Sequence, residues 1–215
     1  ILRVDPQRPA AIEARVLEQE VIQACRGWQE EFASLLVESL GEARATDLLA
    51  AGGFPAGYRE RFEPHEAVVD LRHLLELSRE RPLVLRFYQA PLERGRNLHC
   101  KIYHAETPLA LSDMLPILEN LGLRVLGEFP FRLRRHDGSQ FWIHDYNFTY
   151  AEGIDVDLVQ LNDILQDAFI HIVQGDAEND GFNRLVLGAG LPWREVAVLR
   201  AYGRYLKQIR LGFDL

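Results

Sequence analysis

The sequence has little cysteine and only one methionine, no excess of positive charge and no long apolar run. Each shortage excludes something. Cys25 and Cys100 are far apart and sit in apolar patterns, so there is no disulfide framework; they read as buried thiols in a reducing cytoplasm. A net charge of -8 argues against a nucleic-acid groove, because binding phosphates needs a clustered positive surface. The local basic run Arg132, Arg134 and Arg135 alternates along a predicted strand end and reads as a solvated hairpin tip. No apolar stretch reaches membrane-spanning length, and Ile1-Leu2-Arg3-Val4-Asp5 lacks the charged and apolar blocks of a signal peptide. An initiator Met is also missing, as in an excised fragment.

Missing motifs narrow the chemistry. No Gly-x-Gly-x-x-Gly follows a predicted strand, and Gly188 and Gly190 lie between helical patterns, so the dinucleotide fingerprint is lacking. No Ser or Cys stands in a recognisable nucleophile setting. His144-Asp145 could suggest a metal-binding pair, but neighbours on a strand point to opposite faces. His99, Cys100 and His104 fail as a ligand set for a related reason: His99 points away from the other two, which lie about 13 Å apart at strand rise. No catalytic, cofactor-binding or metal residue is assigned.

What is present is a soluble globular pattern, 47% hydrophobic and 26% charged, in 215 residues that suffice for one large or two small cores. Apolar residues at spacings of three and four, from Val16 or Leu17 to Leu40, predict one long helix from about Pro9, closed by Gly41. A second helix runs from Glu42 to Ala51, then comes a Pro and Gly turn, and Pro64 opens a third through Leu77. The period then changes to two. Leu83–Tyr88 and Leu98–Tyr103 read as strands joined by a polar loop containing Gly95. A helix follows, with Ser112 as N-cap, Pro116 near its first turn, Met114, Leu115, Leu118 and Leu121 buried, and Gly122 as its stop.

Asp137-Gly138 predicts a two-residue hairpin turn. That register pairs Leu133 with Trp142, Phe131 with His144, Phe129 with Tyr146, Gly127 with Phe148 and Val125 with Tyr150 on an aromatic face. It leaves Arg134–Phe141, Arg132–Ile143, Pro130–Asp145 and Glu128–Asn147 on the other. His144 is expected to be a buried, neutral structural histidine that donates to a backbone or hydroxyl acceptor. After Gly153 a helix carries Leu158, Leu161, Leu165, Ala168 and Ile172 on one face and ends at Gly175. A short helix spans about Phe182 to Leu187, and Pro192 starts a last one through Ile209.

Three stretches carry a resemblance. They are Leu111–Val125 with its answering Trp142-Ile143-His144-Asp145-Tyr146, Asp180–Val186 running into Ala189–Arg194, and Leu199–Gln208. Phe54–Tyr58 before Glu66–Asp70 extends it. Together they resemble the large bacterial NAD-specific glutamate dehydrogenases, in a region upstream of the catalytic domain. Strand, helix, two strands, helix is most of a ferredoxin-like unit, and Leu83–Tyr88 can fill the missing edge. The expected fold is α+β: a permuted ferredoxin-like or ACT-like antiparallel four-stranded sheet flanked by helical segments. The expected domains are an N-terminal helical segment (1–80), an ACT-like domain (81–175) and a C-terminal helical segment leading to the catalytic domain (176–215).

The resemblance implies an oxidoreductase of amino acid catabolism. The parent would convert glutamate, NAD and water to 2-oxoglutarate, ammonia and NADH, with this piece catalytically silent. Neither Lys101 nor Lys207 lies in a pattern like the family's substrate-binding lysine. The implied cofactor is NAD, in the parent alone. The implied partners are the remaining domains of the same chain and further subunits of a homo-oligomer, with no nucleic acid and no membrane. An amino-acid effector and allosteric regulation are implied too, with Thr107, Leu109, Ser112 and Asp113 as candidate contacts because a helix N-terminus offers N–H groups to a carboxylate. The alternatives are a plain structural cap there, or an architectural oligomerisation module with Leu83–Tyr88 as a free edge. ACT signatures carry a Gly at this turn; here it reads Glu106-Thr107-Pro108.

Overall fold

The computed structural model describes residues 27–89, 97–106, 109–151 and 157–209, except for the side chains of 50, 51 and 158–161. Cys25, the Gly95 loop, Thr107 and the helix expected before Gly27 lie outside the described residues, as do the side chains of Leu158 and Leu161. The chain divides into two units, Ile1–Arg72 and His73–Leu215.

In the first unit, α1 (Trp28–Leu40), α2 (Glu42–Ala51), α3 (Ala56–Arg61) and the start of α4 (Pro64–Leu75) surround an aromatic core. Gly27 is the N-cap of α1, in extended conformation, so the helix expected from Pro9 does not pass through that residue. Trp28, Phe32, Phe54, Tyr58 and Phe62 form a chain of ring contacts 4.3–6.2 Å apart. The Trp28 indole donates to the Phe62 carbonyl at 2.8 Å. Inside, the Tyr58 hydroxyl donates to the buried Asp70 carboxylate. The Pro and Gly turn expected after Gly53 is in part a helix: Pro55 presets the N-cap of α3, and a Pro there needs no N–H partner.

In the second unit, β1 (Leu83–Tyr88), β2 (Asn97–Ala105), α5 (Leu111–Asn120), β3 (Leu123–Arg134) and β4 (Gln140–Tyr150) are followed by α6 (Leu158–Gln174). A 3-10 turn (Gly181–Asn183), α7 (Arg184–Ala189) and α8 (Trp193–Gln208) complete it. The sheet is antiparallel in the order β1-β2-β4-β3, which is the permuted ferredoxin-like arrangement. β1 takes the edge beside β2 that a fourth strand would fill in the unpermuted fold.

Alternation explains one face: Leu85, Phe87, Leu98, Cys100, Ile102, Tyr146 and Phe148 pack with Met114 and Leu118 of α5 and Leu165, Ala168 and Phe169 of α6. The opposite face is closed as well, with Val84, His99, Lys101, Tyr103, Ile143 and Asp145 all buried.

Two features depart from the sequence reading. The hairpin register is one residue off the expected one: Leu133 pairs with Phe141, Phe131 with Ile143, Pro130 with His144 and Glu128 with Tyr146. The loop has three residues instead of two. The Arg135 N–H donates to the Ser139 carbonyl, Gly138 adopts φ +87°, and the Asp137 carboxylate accepts from the Ser139 N–H at 2.8 Å. A left-handed glycine closing a three-residue loop is the next favoured hairpin solution after the two-residue turn. A bulge between Val125 and Gly127 then shifts the register again. The other departure is in α5, which starts at Leu111 with Ala110 as N-cap; Pro116 therefore falls inside the helix, not in its first turn. Gly122, at φ +89°, supplies the stop as expected.

Candidate functional site

The candidate site lies where β2 hands over to α5. Glu106 leaves the strand at φ +70°, the left-handed region that a non-glycine residue adopts at a cost. Its N–H is fixed by the Gln140 carbonyl at 3.0 Å. Ala110 is extended, and no side chain caps the helix behind it. Ser112 is not the N-cap: the Asp113 and Met114 N–H groups both take the Ala110 carbonyl, which puts Ser112 inside the first turn. Its hydroxyl instead donates to the Asp113 carboxylate at 3.3 Å. Of the four candidates, Leu109 is half-buried, Ser112 and Asp113 are exposed, and Thr107 lies outside the described residues.

The register sets a second group on the same sheet face. His104 pairs with Trp142 and Ile102 with His144, and the rings of Trp142, His144, Tyr146 and Phe148 succeed one another at 5.8–6.2 Å, with tilts of 27° or less. His104 stacks on His144 at 5.1 Å. The Glu128 carboxylate, brought to this face by the shifted register, lies 2.6 Å from His144 Nδ1 and accepts from the Tyr146 hydroxyl at 3.3 Å. His144 is buried, as expected, but its partner is a carboxylate, not a backbone or hydroxyl acceptor. With Nδ1–H assigned as the donor, Nε2 is left buried without a partner, as is the Trp142 indole nitrogen. Burial, reinforced by the Glu128 charge, pushes the Tyr146 phenol well above its usual range, so it stays protonated and can only donate to that carboxylate.

On the other face, the Tyr88 hydroxyl donates to Asp145 at 2.7 Å, and the Lys101 ammonium stands 5.5 Å from the Tyr88 ring centre. His144 and Asp145 thus work on opposite faces. Sequence reasoning missed Glu128 and Tyr88. The signal for Glu128 lay in the hairpin loop length; that for Tyr88 lay in its matching strand parity with Lys101 and Asp145.

The chemistry these groups can do is binding and positioning. Among the described residues no three His, Cys, Asp or Glu side chains gather to hold a metal. Burial, followed by the Asp145 charge, raises the Cys100 thiol far above its usual value, so it carries no reactive thiolate. At the opposite end of the sheet a cleft of about 910 Å³ opens between α5, β3, β4 and α7, lined by Glu119, Arg124, Thr149 and Arg184 among others. No helix among the described residues is long and apolar enough to cross a membrane.

Three sequence profiles match. Residues 82–161 match the ACT3 domain of glutamate dehydrogenase, 35–77 its helical motif 2 and 177–215 its helical motif 3. Over its whole length the chain is 71% identical to an NAD-specific glutamate dehydrogenase of Pseudomonas aeruginosa and 42% identical to one of Halomonas elongata, covering 13% of each. Across 86% of its length it is 31% identical to an NAD-specific glutamate dehydrogenase of Mycobacterium tuberculosis, covering 12% of that protein. The helices, the permuted sheet and these matches agree: the chain belongs to the NAD-specific glutamate dehydrogenase family, as a small part corresponding to its third ACT domain and the helical motifs on either side.

Proposed function

We propose that this chain is a non-catalytic regulatory and structural region of a cytoplasmic NAD-dependent glutamate dehydrogenase. The whole protein would oxidise glutamate with NAD to 2-oxoglutarate, ammonia and NADH. Residues 1–80 and 176–215 would be helical connectors around an ACT-like domain at 81–175, with 176–215 leading to the catalytic domain. One observation carries this reading: the 71% identity to an NAD-specific glutamate dehydrogenase extends over the whole chain, yet covers only 13% of that enzyme. Among the described residues, neither lysine singled out above stands beside a group that could react with it. Lys101 is fully buried in the sheet, and Lys207 is exposed on α8. In the full-length protein, Lys207→Met should leave glutamate-dependent NAD reduction within about twofold of the parent, well under one factor of ten per 1.36 kcal/mol of barrier. A loss of a hundredfold or more with melting unchanged would move chemistry into this region.

A second reading rests on the α5 start. Its uncapped first turn, preceded by the strained Glu106 turn, supports an amino-acid effector held at Leu109, Ser112 and Asp113, with Thr107 adjoining. Such an effector regulates only by binding two states with different affinity. Calorimetric titration of the full-length protein with the common amino acids tests it. Binding weakened tenfold by Ser112→Ala supports the effector site, and flat isotherms for every amino acid leave the turn as a cap. The architectural reading draws on β1, an edge strand of the sheet, as a contact between copies in a homo-oligomer. Sizing of the full-length protein by light scattering tests that contact: a stable oligomer supports it, and a single polypeptide in solution would remove it.

A further inference from the structure

The cleft at the far end of the sheet from the Glu106 turn holds cations that the fold does not use. Arg124 reaches it from the start of edge strand β3, and Arg184 from the first residue of α7. Both are exposed, and among the described residues neither guanidinium makes a hydrogen bond or an ion pair. Glu119, which also lines the cleft, pairs with neither of them. Elsewhere in the unit arginines have carboxylate partners: Arg81 has Glu76, Arg200 has Asp180 and Arg204 has Glu178. In a chain of net charge -8, two unneutralised guanidiniums at one cleft make a local positive field.

The cleft is shaped as well as charged. Its volume of about 910 Å³ lies within the range of small-molecule sites, roughly 300–1,000 Å³. Gly122, at φ +89°, lets α7 lie against the turn into β3: a Cβ there would meet the Arg184 Cβ at 3.6 Å. That contact fixes the backbone of Arg184 relative to β3. Arg124 faces Thr149 across the ladder, which puts their side chains on one face of the sheet. Leu123 and Leu185 add an apolar wall.

We propose that this cleft binds a small organic dianion with a carboxylate or a phosphate at each end. A guanidinium takes one acidic group in a bidentate fork. Two guanidiniums from separate elements, with an apolar wall in the same cleft, match a carbon-bodied ligand with two acidic ends better than a bare ion. Glu119 offers an acceptor for a hydroxyl or an ammonium on that body. The site does not depend on any effector held at the Glu106 turn.

Hydrogen–deuterium exchange of the purified full-length protein tests this, read at residues 119–125 and 184–189 so that ligand bound in other domains is not counted. The probes are glutarate, fructose 1,6-bisphosphate and butyrate, each at about 10 mM with ionic strength matched by sodium chloride. Glutarate or the bisphosphate should slow exchange in both segments, and the one that does so assigns carboxylate or phosphate ends. Butyrate, with one acidic group, should bind about tenfold more weakly. Arg124→Gln and Arg184→Gln should each weaken the protection about tenfold, and Arg184→Lys by less, because it keeps the charge and loses the fork. Unchanged exchange with both dianions would overturn the proposal. So would equal protection by butyrate, or protection that survives both glutamine variants.

Discussion

The two faces of the central sheet are equally buried and chemically opposite. Leu98, Cys100 and Ile102 of β2 turn toward α5 and α6, while His99, Lys101 and Tyr103, alternating with them, turn the other way; all six are buried. The first face is held by close packing, where a missing methylene leaves a void. The second is held by polar pairing, where a missing partner leaves a desolvated group. Even the first face grades from apolar to polar along its length, from Phe148 through Tyr146 to His144 and Glu128. Alternation therefore shows which residues share a face, but not how that face is stabilised.

The sharpest way to break this contrast is truncation on the packed face. Phe148→Ala should lower unfolding free energy by about 3–5 kcal/mol, the usual loss for a fully buried ring; a loss under about 1 kcal/mol in urea denaturation would mean the face is not close-packed. Next comes the polar face. Asp145→Ala should cost about 2–4 kcal/mol, because it strips the acceptor from the Tyr88 hydroxyl in a dry environment. Tyr88→Phe alone should cost about 1 kcal/mol, and the double mutant should fall short of the sum. Strict additivity would break the pairing.

His144→Ala sharpens the intermediate case. It should cost about 1–3 kcal/mol by orphaning Glu128 and removing a stacked ring, and it should leave the full-length protein's turnover intact. Activity abolished with melting unchanged would contradict a structural role.

A smaller effect is alkaline. The Tyr146 phenol and Cys100 thiol both have raised values in the fold. Each keeps its proton after the unfolded chain has lost it, so their contribution is complete below the unfolded values, near 8.5 for Cys and 10 for Tyr, and is lost as pH rises beyond them. Tyr146→Phe should flatten the fall in melting temperature above about pH 10, where the unfolded phenol ionises; an unchanged slope would remove Tyr146 from that account. The smallest is at the hairpin loop. Hydrogen bonds from Ser139 hold the exposed Asp137 carboxyl below its usual value, so its NMR titration midpoint should rise in Ser139→Ala, with no change in fold.

Much of this fold is legible in the sequence because local signals and burial agree. Leu83–Tyr88 alternates and forms a strand over those residues; Glu42–Ala51 lies between glycines and forms that helix; Gly122 and Gly175 stop helices at positive φ. The hairpin was legible in existence but not in register, because Asp-Gly suits both a two-residue turn and the end of a three-residue loop, and one residue of loop length moves Glu128 to the other face. The candidate site suffered the same way. The α5 start reads as Ser112 in the sequence and lies two residues earlier, at Ala110, and the Glu128–His144–Tyr146 cluster depends on the three-residue loop that sets the register of β3 on β4.

The central claim is that this region belongs to a glutamate dehydrogenase and does no chemistry of its own. It is tested most directly by following NADH formation at 340 nm from glutamate and NAD, with the full-length protein and the 215-residue chain side by side and the chain's folding checked by circular dichroism. The account predicts turnover by the full-length protein and none by the folded chain; turnover by the chain alone, or a full-length protein inactive toward glutamate with NAD, would contradict it.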